Sequence, residues 1–222
     1  MLAGEAVVAI WNGIATEARA DFYDWHDNEH MPERVGIPGF RRGRRLAALD
    51  PATAPEFFTL YEAETMPVLT GADYARRLNA PTPATRAIMP QFRGTVRALA
   101  TVEESRGPGT GGVLGTLRFD AETWLMPELR VVVRSAATLP RVVGAHLCRT
   151  DMAASGAPTV EARSRTDADA PPSWFVLVEA TDADALGLAE LQTMLMRVGA
   201  REPMIAGRYR LEYLRSKTGF AS

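Results

Sequence analysis

The chain has 222 residues, 46% hydrophobic and 23% charged, with a net charge of -2 and a pI near 6.0. That is globular composition rather than disordered, and the weak negative charge provides no field to gather nucleic acid or an anionic membrane. A single cysteine, Cys148, excludes an internal disulfide framework, and no apolar run reaches membrane-spanning length, so a soluble cytoplasmic protein is expected.

In chain order, EAVVAIWNGI reads as a strand and lacks the basic start of a secretory signal. Thr16 is the expected N-cap of a first helix, with Glu17 and Asp21 suited to its dipole. Ala15, Ala18, Phe22 and Trp25 recur at spacings of 3 and 4, which marks the face turned to a sheet. This stripe runs into DWHDNEHMPERVGIPGF, Asp24 to Phe40, where His26 lies one turn beyond Phe22 and Glu29 and His30 flank it. Pro32 has no N–H, so the helix is predicted to end or kink near Met31, leaving His30 at a C-terminus and Gly36 as a left-handed stop.

A second strand follows in IPGFRRGRRL, with Arg42 and Arg44 on one face and Arg41 and Arg45 on the other. These arginines read as a solvated strand edge or as ion pairs tying two halves of the chain together. FFTLYEAET is a third strand, and a helical stretch interrupted by the prolines of NAPTPATRAIMP leads to a fourth, GTVRALATV. The prolines would open room for a ligand above the sheet.

The pattern then returns. WFVLVEATD repeats FFTLYEAET, GGVLGTLRF rhymes with the opening strand, and GRYRLEYL rhymes with GTVRALATV. Each copy has the order β-α-β-β-α-β, which predicts an α+β protein of two ferredoxin-like repeats: residues 1–105, a Gly/Pro-rich linker at 106–112, and residues 113–222. A ferredoxin-like sheet leaves one face bare, so the two repeats are expected to close an α+β barrel within one chain, with further homo-oligomerisation open. Residues 152–172 read as a long mobile loop in the second copy.

Three readings of the histidine motif stay open. The first is a small-molecule pocket. In the second, the histidines only cap and bridge packed elements. The third is the His-x-x-Glu-His metal motif of a hydrolase; Pro32 and the lack of a distinguished third ligand argue for no metal. The second copy has ETWLMPELRVVV at the corresponding place, without either histidine, and is expected to be degenerate and structural. His146 and Cys148 read as packed strand residues, and GPGTGG lacks the following residues of a phosphate loop.

Tyr23, Trp25, His26, Glu29, His30, Pro32, Arg34, Pro38, Gly39, Phe40 and Arg45 together resemble the first helix and second strand of EthD-like proteins of the dimeric α+β barrel superfamily. The resemblance covers about residues 5 to 50 and implies a pocket between helices and sheet, in a superfamily that includes isomerases, cyclases, cofactor-free monooxygenases and haem enzymes. The expected activity is a cofactor-free isomerase, cyclase or monooxygenase acting on a carbonyl-bearing or aromatic metabolite. His26 and His30 would serve as base and acid, Glu29 would fix a tautomer, and Arg34 or Tyr61 would place an anionic oxygen. Phe22, Tyr23 and Trp25 would line the pocket around a small hydrophobic or aromatic ligand, without cofactor or metal. A ligand-binding or scaffold barrel without catalysis remains the alternative.

Overall fold

The computed structural model describes residues 1–164 and 167–217. The first repeat runs β1 (Ala6–Ile14), α1 (Arg19–Trp25), a π-helical turn (His26–His30), α2 (Met31–Gly36), β2 (Phe40–Ala48), β3 (Phe57–Ala63), α3 (Met66–Thr70), α4 (Ala72–Asn79), α5 (Pro83–Ile88) and β4 (Phe92–Arg106). The second runs β5 (Val113–Asp120), α6 (Met126–Ala136), β6 (Val142–Thr150), α7 (Met152–Ser155), α8 (Val160–Arg163), β7 (Ala168–Asp169), β8 (Trp174–Ala180), α9 (Leu188–Arg197) and β9 (Arg201–Ser216). Among the described residues no helix is long and apolar enough to cross a membrane.

Each repeat makes a four-stranded antiparallel sheet, β2-β3-β1-β4 and β6-β8-β5-β9. The long last strand of each then leaves its own sheet. β4 pairs with β1 over Phe92 to Thr101 and with β6 over Ala100 to Arg106, while β9 pairs with β5 and then with β2. The two junctions close an eight-stranded antiparallel barrel, which removes the open edges a lone sheet would expose. This is the two-repeat α+β barrel expected from the duplicated pattern.

Strand alternation sorts the side chains. Val7, Ala9, Trp11, Phe58, Leu60, Phe175, Leu177 and Tyr209 fill the barrel, while the opposite faces pack against the helices. Trp11 meets Phe58 at 4.9 Å and Phe175 edge-on at 5.3 Å, an aromatic layer drawn from both repeats. Because both faces are covered, all seven residues of β3 are buried.

One end of the barrel is polar. Arg44, 1% exposed, lies 3.0 Å from Glu179 of the other repeat and 3.1 Å from Glu62 of its own. Arg42 adds a bidentate pair to Glu62, and the Ala3 N–H donates to the same carboxylate. His146 meets Glu179 through Nε2 and Ser105 through Nδ1. Burial pushes the Glu179 carboxyl up, but the His146 hydrogen bond and the Arg44 charge overcome it and bring it down to about 2. Burial lowers His146, so the pair is a neutral imidazole donating to a carboxylate. Of the two readings of the arginine run, ion pairs between the repeats describe Arg44, and Arg45 likewise reaches Glu212.

Three expectations need correction. Residues 152–172 are not simply a loop: they carry α7, α8 and β7, the last pairing in parallel with β4, although 165 and 166 lie outside the described residues, as do 218–222 of the second repeat. Thr16 is the first residue of a short turn capped by Ala15, without a side-chain cap. Gly39, not Gly36, takes the left-handed conformation, at φ 85°.

Arg44→Met leaves Glu179 and Glu62 short of a buried counter-charge and is expected to cost about 3–5 kcal/mol. Urea unfolding should show a lower midpoint at unchanged slope, part of it recovered in Arg44→Met/Glu179→Gln.

Candidate functional site

The chain stays helical from the turn at Thr16–Ala18 to Gly36, past Pro32. What accommodates the proline is the π-helical turn at His26–His30: widening the helix just before Pro32 puts the proline in the first turn of α2, where its missing N–H is tolerated. His30 is therefore inside a continuous helix and not at a C-terminus. Gly43 on β2 sets how closely this helix lies on the sheet, since a Cβ there would come within 2.1 Å of Met31 Sδ and 3.0 Å of the Tyr61 ring.

Between the π-helical turn and the outer face of the first sheet is a small cavity of about 20 Å³, enough for one water molecule. His26, His30, Tyr61, Phe22 and Trp25 line it, the helical ones along the stripe read from the sequence, joined by Asn12 of β1 and Thr59 of β3. His26 is 3% exposed and His30 6%. Their rings are 5.8 Å apart, and His30 stacks on Trp25 at 4.2 Å. The Tyr61 hydroxyl is buried and has no hydrogen-bond partner among the described residues.

His26 Nδ1 lies 3.3 Å from Arg45 Nη1. An arginine can only donate, so Nδ1 accepts and the proton of the neutral ring sits on Nε2. Burial pushes this imidazole down to about 3, with the charges of Arg45 and Arg34 acting in the same sense. Burial likewise holds the Tyr61 phenol protonated by raising its pKa. His26 and Tyr61 are both neutral hydrogen-bond donors at ordinary pH.

Three residues expected at the site are engaged elsewhere. Glu29 turns away from the histidines and accepts from Thr82, the N-cap of α5; Thr82 bonds Thr85, which accepts the Trp25 indole N–H at 3.1 Å. Through α5, Glu29 holds Trp25 in place. Arg34 is 2% exposed and paired with Glu33 and with Glu161 of α8, so its charge is already answered. Tyr23 lies outside the cavity, half-buried beneath the Arg45 guanidinium at 4.5 Å, its hydroxyl donating to Glu212. Among the described residues no three His, Cys, Asp or Glu side chains come together as metal ligands.

On the outer side of Trp25 a groove of about 690 Å³ runs between α1 and α5, with Asp21, Asp24, Asn28 and Glu29 along it. Trp25 is the wall between groove and cavity. The prolines of the 79–90 segment break the second helical stretch into α4 and α5; the groove lies between α5 and α1, not above the sheet as expected.

No family model matches the sequence, and no curated protein does either. Solved structures share the architecture. An anthrone oxidase-like protein matches with a TM-score of 0.63 at 8% identity, over 95% of this chain and 92% of that one. A candidate monooxygenase of Fusobacterium nucleatum matches at 0.58 and 9%, over 99% and 98%. One from Lactobacillus acidophilus matches at 0.57 and 8%, over 96% of each. The likeness is one of fold: the ferredoxin-like α+β barrel.

Because folded His26 binds its proton only near pH 3 and the unfolded chain binds it near 6.5, the unfolded state carries the extra proton between those values. Stability should therefore fall as pH drops from 6.5 towards 3, by about 1.4 kcal/mol per unit from this group. The wild-type loss, measured against His26→Phe across that range, checks it, and the His26 ring resonances should not titrate between pH 8 and 5.

Proposed function

We propose that this chain is a cofactor-free enzyme of the EthD-like branch of the barrel superfamily, acting on an aromatic, carbonyl-bearing small molecule in the pocket behind Trp25. The observation that carries the reading is the pair of neutral donors, His26 Nε2–H and the Tyr61 hydroxyl, the latter unpartnered among the described residues, lining a small, largely apolar cavity beside a second histidine.

The arrangement supports narrower roles than base and acid. With Nδ1 held by Arg45 and Nε2 protonated, His26 is a donor rather than a base. A neutral imidazole of depressed pKa and a phenol suit the oxygen of an enolate, since neither surrenders its proton while charge develops. His30 then takes the proton from carbon. The natural substrate is a carbon acid whose anion spreads over a ring and a carbonyl. With oxygen as co-substrate, the carbanion passes one electron to O₂, the radicals combine, and the hydroperoxide loses water: a CH₂ and O₂ become C=O and H₂O. The name of the anthrone oxidase-like neighbour is consistent with such a substrate. Entry requires Trp25 to leave Thr85, joining cavity to groove.

Anthrone is the first probe. Wild-type protein should accelerate oxygen uptake and, without oxygen, exchange of the CH₂ protons with deuterium; His30→Ala should lower both by at least about 100-fold, and Tyr61→Phe or His26→Ala by about 10- to 1000-fold. Exchange without oxygen uptake would redirect the reading to an isomerase or cyclase. Neither activity, with anthrone still raising the melting temperature, would leave a binding barrel.

A further inference from the structure

At the barrel end away from Arg44, a recess of about 490 Å³ opens between the loop after β2, the start of β4, the end of β5 and the start of β9. Its size suits a small organic ligand. Pro55, Val96, Pro171, Pro172 and Ile205 supply apolar walls, and Arg118 lies within it.

Arg118 is 6% exposed. It occupies the place on β5 that Trp11 holds on β1, since Phe58 faces Trp11 and Phe175 faces Arg118, and its guanidinium sits 5.0 Å over the Trp11 ring. Three other deeply buried arginines, Arg34, Arg44 and Arg45, each meet a carboxylate. Arg118 meets none among the described residues. Among those residues its Nε has no hydrogen-bond partner, and Nη2 makes one bond of 3.3 Å to the Ala54 carbonyl. An aromatic face offsets only part of the cost of burying a guanidinium. The nearby acids do not complete it: Asp120 accepts from the Ser173 N–H and hydroxyl at 2.8 and 2.6 Å, and Asp169 is exposed at the rim.

We propose that this recess is a binding site for a small organic monoanion, its carboxylate bridging Arg118 Nε and Nη while a flat apolar body lies against the proline walls. The guanidinium edge matches a carboxylate in two parallel hydrogen bonds. Asp120 and Asp169 at the rim disfavour a dianion such as phosphate. The site is separate from the histidine pocket and does not depend on the reading given to it.

Titration calorimetry with 2-naphthoate and its neutral amide tests the proposal. Naphthoate should bind at least about tenfold tighter than naphthamide and shift the Trp11 indole N–H resonance, which is bonded to Thr116. Arg118→Met should erase the preference for the acid, and Arg118→Lys should keep part of it. Should those variants not fold, Ile205→Trp, at an exposed rim position, fills the recess without touching the charge and should weaken naphthoate by a similar factor. Equal affinity for acid and amide, undiminished affinity in Arg118→Met or Ile205→Trp, shifts confined to Trp25, or no saturable binding of naphthoate would each overturn it.

Discussion

A single guanidinium, that of Arg44, holds two carboxylates from different repeats inside the barrel. A charge there has no water to lean on, so each must be answered within hydrogen-bonding distance, and the interior contents are coupled across the two halves. The strand register makes Arg44 and His146 corresponding positions, opposite Leu60 and Leu177, and makes Glu62 and Glu179 another such pair. Two identical chains would bring two copies of whichever residue stood at the first position. One chain with two unlike copies brings one arginine and one neutral histidine, which with Arg42 balances two glutamates.

The same freedom to differ shapes the remaining sites. Trp11 and Arg118 correspond and meet as ring and cation, and the first repeat has His30 before Met31, Pro32 and Glu33 where the second has Leu125 before Met126, Pro127 and Glu128. The barrel is near-symmetric in backbone and unsymmetric in chemistry, with its helix-side histidines confined to one repeat.

The architecture was legible because alternation and repetition are local signals: FFTLYEAET and WFVLVEATD show the same strand twice, and a ferredoxin-like sheet needs its bare face covered. The inward turn of His26 and His30 followed from the stripe of Phe22 and Trp25. The direction of Glu29 did not, because neighbours at i+3 and i+4 were counted on an α-helix, whereas the residues concerned form a wider π-helical turn that Pro32 alone does not announce. Asn12 and Thr59 had a readable signal, as polar residues on the helix-facing side of otherwise apolar strands; Asn12 follows Val8 and Ile10 there. Glu161 had none. Its partner Arg34 lies 127 residues away, joined to it only by the folded chain.

That ion pair also bears on how such a chain can change over generations. α8 belongs to a segment inserted between two strands of the second repeat, yet its glutamate neutralises a buried arginine beside the first repeat's histidines. Deleting the insertion strands Arg34, and replacing Arg34 first strands Glu161, so either step alone passes through a less stable intermediate. A repeat without histidines of its own at the corresponding helix is thereby made indispensable to the repeat that has them, and the duplication works as a ratchet.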